Sequence, residues 1–534
     1  MQNSVGIWRL AVGCLLALVL GGCSGGSSSN SGAPVSPPPA ATVDLRILAG
    51  SELKELEPDI LGAARSAGVN VKLTYSGTLE MVDRVNQGVA VDAILPPNGA
   101  YPSLALARKA VAKEKLFYSR VALGVKESKA RQLGWDKTTP SWSDITQAVK
   151  EGKLAYGMTN PTSSNTGMSA LFAVAASSAK KTEDLAADEV DRAALKDFLS
   201  GQKLTAGSSG WLADAYIREQ GHLDGLINYE AVLLRLNERP ELREKLTLIY
   251  PRDGVISADY PLMLLDPAKR AGYDRLVAAL KSPGFQSTAL GRAYLRPSDP
   301  TAPRSPRLSG DTVVELAFPN NLAVIDAVLA SYQAELRRPA TSIYLLDTSG
   351  SMRGQRLAQV QKALELLTGV DAQGSAARYA RFQSREHVML ISFSGEPNRP
   401  VRFNFDIAGD KTRTEGQLRD YVQTLQAGGG TAIYTALELA YDLAYQEESS
   451  YPGRLVTVVL LTDGENNHGL SYERFREHWQ ARSVGVDPVR TFPILFGEAS
   501  SSELDEIARL TGGRSFDGRS ADLRDVFREI RGYQ

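Results

Sequence analysis

Short runs of Val, Ile and Leu alternate with stretches of helical spacing in two long regions of this chain, and that alternation constrains the fold most. In the first region VDLRILAG is strand-like and SELKELEPDILGAARSAG is helical in spacing. VKLTYSG is again a strand, TLEMVDRVNQG a helix and VDAILPP a strand. A helix between successive apolar strands brings the chain back to lay the next strand parallel to the last, so the pattern predicts a parallel α/β sheet. YSRVALGVK, LAYGMTNP, LDGLINYEAVLL and KLTLIYP follow as strand-like runs. Their spacing is less regular, as in a two-lobed domain whose chain crosses between lobes. The second region begins near Thr341, with SIYLLD, HVMLISF, VRFNF, LVTVVLLTD and TFPILF as strands. Its helices are GQRLAQVQKALELL, TEGQLRDYVQTLQ, TAIYTALELAYDLA, ERFREHWQA, SELDEIARL and DLRDVFREI.

Between the regions, Pro297, Pro300, Pro303 and Pro306 mark the best internal boundary. A helix-like stretch from Asn321 to Arg337 follows them. The expected organisation is a signal segment 1–22, a tether 23–42, a first domain 43–297, a linker with a connecting helix 298–340, and a second domain 341–534. The 60 Lys and Arg balance 61 Asp and Glu. That excludes bulk electrostatic binding to nucleic acid, which needs a surplus of cations. Four histidines leave little room for a multi-histidine metal site.

The apolar run Leu10 to Leu20 follows Arg9 and is too short for a comfortable membrane span, which needs about 20 residues. It fits the apolar part of a secretory signal peptide. It ends in Leu20-Gly21-Gly22-Cys23, which resembles the lipobox of bacterial lipoproteins. The resemblance implies cleavage before Cys23, a lipid on its thiol, and a chain anchored to a bacterial membrane on the extracytoplasmic side. The uncharged Ser24 to Thr42 stretch reads as a flexible tether.

SIYLLDTSGSM places Asp347, Ser349 and Ser351 directly after a strand. AGGGTAIYTAL places Thr431 at a helix start, and VTVVLLTDGENN places Asp463 at a strand end. Strand C-terminal ends are the usual ligand-binding rim of an open α/β sheet. Carboxylate and hydroxyl oxygens are hard ligands, suited to Mg²⁺ or Mn²⁺. This set resembles the von Willebrand factor A (VWA) domain and its metal-ion-dependent adhesion site. Asp347, Ser349 and Ser351 match the family's D-x-S-x-S, while Thr431 and Asp463 match its threonine and its aspartate. The resemblance implies a Rossmann-like doubly wound domain that binds Mg²⁺. It also implies a protein partner that supplies an acidic group to the metal.

In the first region, Ser51, Ser76, Thr78, Asn160, Ser164 and Thr166 stand in small-polar loops at strand-to-helix turns. Free N–H groups at helix starts let such loops hold an anion or a polar solute. Residues Val43 to Arg296 resemble the type II, two-lobed extracellular solute-binding proteins of ABC transporters. The resemblance adds Tyr229 to the cleft residues and implies a small solute and a permease partner. Glu230 beside it suits a cationic or hydroxylated solute better than an oxyanion, so the residues leave the solute's charge open. The chain holds no G-x-S-x-G turn, Walker A loop, Rossmann glycine pattern or H-E-x-x-H motif, and a non-enzymatic role is expected. Two readings follow. One is a membrane-anchored binding protein that grips a partner through its second domain. The other is the substrate-binding component of a transport system.

Overall fold

The computed structural model describes residues 42–370, 374–405, 409–482, 489–497, 501–519 and 523–534. The signal segment, Cys23 and almost all of the tether lie outside the described residues. Among the described residues, no helix is long and apolar enough to cross a membrane.

The first region forms two lobes, each built on its own sheet. In the first sheet the strands run in the order Val69–Tyr75, Val43–Ala49, Ala93–Leu95, Pro261–Leu264, Ala112–Lys115. The strands expected to be parallel pair that way, Ile47 opposite Ala93 and Val43 opposite Val69. Pro261–Leu264 returns late in the sequence and runs antiparallel beside Ala93–Leu95. The second sheet runs Ser257–Ala258, Phe117–Lys126, Gly225–Tyr229, Tyr156–Thr159, Gln202–Ala206. The chain crosses between the lobes at Leu116 and again at Asp259 and Tyr260.

Two local outcomes depart from the sequence reading. LDGLINYEAVLL is a strand only over Gly225–Tyr229, and Glu230–Leu236 is a helix. Residues 230–234 are all buried, so this stretch has no polar face to reveal a helical period. The segment that follows the prolines, residues 314–318 within the expected linker, is strapped to the second lobe. The Val255 N–H donates to the Val314 carbonyl at 3.0 Å, and Glu315 accepts from Ser257 N–H at 2.7 Å. Phe318 packs on Phe172, ring centres 5.1 Å apart.

The third sheet runs Val401–Phe405, Glu386–Phe393, Ala340–Asp347, Leu455–Thr462, Arg490–Leu495, Phe516–Asp517, all parallel except the first pair. Successive side chains point to opposite faces of a strand. Ile343 and Leu345 accordingly join one apolar layer with Ile433 and Leu437. Tyr344 and Leu346 join the other, which continues without a break into the core of the first region. The architecture is α/β throughout, two lobes plus a doubly wound sheet.

Candidate functional site

The cleft between the lobes is a cavity of about 730 Å³. That is the size range of pockets that enclose small organic ligands. Three helices begin at its wall: Thr78–Asn86 after Gly77, Asn165–Ser178 after Ser164, and Ser209–Glu219 after Ser208. Among the described residues none of the three N-cap residues makes a side-chain cap, although in the second helix the Thr159 hydroxyl takes the Gly167 N–H at 2.8 Å. A helix start leaves up to four N–H groups without intrahelical partners and carries partial positive charge, so the wall is rich in donors. Thr78 is 2 % exposed, and among the described residues its hydroxyl has no hydrogen-bond partner.

The lobes touch beside these helix starts. A Cβ at Gly77 on the first lobe would lie 2.2 Å from the Ser163 carbonyl oxygen on the second. Only glycine allows that approach. Ser51, Ser76, Thr78 and Ser164 line the cavity as the sequence suggested; Asn160, Thr166 and Tyr229 do not. Asn160 is used locally, its Oδ1 accepting the Thr162 N–H at 2.9 Å. Thr166 bonds Thr159 at 2.7 Å, and the Tyr229 hydroxyl accepts from Asn165 at 3.1 Å. Glu230 is not a wall residue either. It is fully buried and held by Arg296 at 2.7 and 2.8 Å, by the Tyr250 hydroxyl at 2.8 Å and by the Arg120 N–H at 3.0 Å. Its charge is already matched inside the fold.

The cavity wall also includes residues that sequence reasoning passed over. Gly207 and Ser208 sit in AGSSGW, the same small-polar turn between strand and helix that singled out the other loops. Glu52 also lines the cavity, and burial pushes its carboxyl up to about 7. The folded state thus keeps this proton well above the ordinary 4.5. Stability from this group is greatest at low pH and falls as pH rises from about 4.5 to about 7, by about 3 kcal/mol in all. Glu52→Gln removes that slope, so the variant gains on the parent between pH 5 and pH 8. Urea denaturation at both pH values checks this, and an equal loss in both proteins contradicts it.

In the second domain, the five expected metal residues meet at the C-terminal rim of the sheet. The buried Asp347 takes the Ser349 N–H on Oδ1 at 2.7 Å and the Thr462 hydroxyl on Oδ2 at 2.6 Å. Ser349 and Ser351 hydroxyls lie 3.0 Å apart, and Ser351 donates to Asp463 Oδ1 at 2.7 Å. Around Gly464, a Cβ position would lie 3.6 Å from Thr431 Oγ1 and 3.9 Å from Ser351 Oγ, so these hydroxyls share one small space. Neighbouring oxygens on a six-coordinate Mg²⁺ stand about 3 Å apart, given bonds of about 2.1 Å. The Ser349, Ser351 and Asp463 oxygens fit such an ion in spacing, and the whole donor set fits it in hardness. Among the described residues no cluster of three or more His, Cys, Asp or Glu could hold a metal, so a cation here needs the hydroxyls. Burial pushes the Asp347 carboxyl up.

Three residues around this set were not singled out from sequence. Thr462 orients Asp347. Asn467 accepts the Thr431 N–H at 2.8 Å and fixes its loop. Arg356 pairs with Asp463. Thr462 is the threonine of the T-D-G segment and Asn467 lies three residues beyond it, but Arg356 comes from a helix whose periodicity says nothing of the rim.

Fold and sites together define an α/β protein with a two-lobed cleft and a separate doubly wound domain. Residues 45–289 match the family model of bacterial extracellular solute-binding proteins, and residues 342–465 match that of the von Willebrand factor type A domain. The chain therefore carries an extracellular solute-binding domain followed by a VWA domain. It is 34 % identical over 135 residues to inter-alpha-trypsin inhibitor heavy chain H4 of Sus scrofa, covering 24 % of this chain and 13 % of that protein. It is 32 % identical over 135 residues to the magnesium-chelatase 60 kDa subunit of Rhodobacter capsulatus, covering 25 % and 21 %. The chain thus spans a minor part of these relatives. Among solved structures, the periplasmic binding protein AfuA from Actinobacillus pleuropneumoniae matches with a TM-score of 0.44 and 14 % identity, over 55 % of this chain and 99 % of that one.

Proposed function

We propose that this chain is an envelope binding protein whose cleft takes a small anionic or hydroxyl-rich solute. Its VWA domain holds Mg²⁺ and offers it to an acidic group of a partner protein. The observation that carries the solute reading is the convergence on one cavity of three helix starts whose N-cap residues make no side-chain cap, with the Thr78 hydroxyl, unpartnered among the described residues, at one of them. Glu230, paired inside the fold, does not add its charge to the cavity wall. Protonated Glu52 presents a donor instead of a negative charge, so anion binding is expected to strengthen as pH falls below about 7. Extracytoplasmic placement fits the solute-binding family. Anchoring through Cys23 belongs to the same proposal.

Calorimetric titration with sulfate, phosphate and sugar phosphates tests the solute. Thr78→Val is expected to weaken binding by about tenfold, the value of one hydrogen bond to a charged group. Unchanged affinity in that variant would remove Thr78 from the site. The second reading, delivery of solute to a permease, is supported by the family match and by the cleft. Labelled solute uptake by a strain lacking this gene distinguishes it.

A further inference from the structure

The VWA domain sits across the mouth of the cleft and is bonded to both lobes. On the first lobe, Asp83 of helix Thr78–Asn86 accepts the N–H groups of Ser375 at 3.0 Å and Ala376 at 2.7 Å, at the start of helix Ser375–Ala380. The same lobe helix carries Glu80 and Arg84, which meet Arg528 at 3.5 Å and Asp525 at 3.9 Å on the last helix, Leu523–Arg531. On the second lobe, Glu219 pairs with Arg490, both under 10 % exposed, one of the two bonds being 2.7 Å. Gln333, on the connecting helix, donates to Thr162 at 2.8 Å. Trp211 packs on Tyr533 with ring centres 4.6 Å apart, and Tyr533 stacks on Phe492 at 5.3 Å.

The contact reaches the solute cavity itself. A Cβ at Gly532 would lie 2.8 Å from the Gly207 Cα and 2.9 Å from the Ser163 hydroxyl, so the end of the last helix rests on two cleft loops. Tyr379, Arg514, Val526 and Glu529 of the VWA domain form part of the cavity wall. A body fixed to both lobes at the mouth opposes rotation about the crossings at Leu116 and Tyr260. Opening the lobes would separate either the Asp83 contacts or the buried Glu219–Arg490 pair, and breaking such a pair is costly.

We propose that the VWA domain is a clamp and lid on the solute cleft: docked, it holds the two lobes closed on each other, and solute exchanges only when it undocks. The lid's consequence for solute rests on the cleft reading above, but the clamp does not.

The test measures the distance between the lobes without any solute. Spin labels are placed on Ser66→Cys of the first lobe and Ser128→Cys of the second, both exposed, in the full chain with Cys14 and Cys23 changed to serine. The parent is expected to give a single narrow distance. Glu219→Arg sets two cations against each other at Arg490 and is expected to shift the distribution to longer distances. The swapped pair Glu219→Arg with Arg490→Glu is expected to restore the narrow distance. Gly207→Leu, whose side chain meets Glu529 and Tyr533 of the lid, provides an independent opening variant. A broad distribution in the parent, or a narrow unchanged one in Glu219→Arg and Gly207→Leu, overturns the clamp. Failure of the anion titrations with the distance shifts intact removes only the solute reading.

Discussion

Asp347→Ala is expected to lower Mg²⁺ affinity of the VWA domain by about 100-fold or more, with the fold retained. Loss of a residue that merely orients a metal ligand already costs about 10–100-fold in affinity. In the proposed site Asp347 contributes more than orientation, because it is one of the two carboxylates of the set. Its two oxygens also position the Ser349 backbone at 2.7 Å and the Thr462 hydroxyl at 2.6 Å. Without them both donors lose their buried acceptor, at about 1–3 kcal/mol each in stability. The apolar layers on both faces of the sheet absorb that loss. Calorimetric Mg²⁺ titration reads the effect directly. Equal affinities in parent and variant would show that the ion binds elsewhere or not at all.

The largest stability effect is expected at Glu386. This carboxylate is fully buried between Arg531, at 2.7 and 2.9 Å, and Arg337. Burial disfavours its charge, but the two guanidinium groups outweigh burial and hold its carboxyl below the usual range. Its contribution is therefore present at neutral pH and is lost as pH falls below about 4.5, the ordinary value, towards the lower folded one. Glu386→Ala leaves two buried cations unmatched, which costs about 3–5 kcal/mol. Arg531 ends the last helix, so that helix, which rests on the cleft loops, loses its anchor as well. Urea unfolding at pH 7 measures the cost, and a loss below about 1 kcal/mol would contradict the assignment.

Much of this was legible in the sequence, for physical reasons that also mark the limit. Strands such as SIYLLD and LVTVVLLTD are buried on both faces and read as unbroken apolar runs. Their ends carried Asp347 and Asp463, which marks the C-terminal rim, while that these two strands are neighbours came only with the fold. Helix Glu230–Leu236 was hidden by its uniform burial. The role of Glu230 was hidden because its partner Arg296 is 66 residues away in sequence. The cleft loops were visible as small-polar turns, but which of them faces the cavity depends on the lobes' packing. Asn160 and Thr166 have the same composition as Ser164 and turn inward instead. The interdomain contacts left no pattern at all. Asp83 looks like any acid on an amphipathic helix, and Arg490 like any first residue of a strand, until the fold pairs them with Ser375 and Glu219.

Native mass spectrometry of the chain tests the central claim most directly, that one molecule holds a solute in its cleft and Mg²⁺ at its rim. In magnesium acetate with a panel of sulfate, phosphate and sugar phosphates, the account predicts one small-molecule adduct and one Mg²⁺ per chain. The adduct is weakened by Thr78→Val and retained in Asp347→Ala, while the Mg²⁺ shows the opposite pattern. A chain that carries neither species at millimolar concentrations, or that loses both together in either variant, would contradict it.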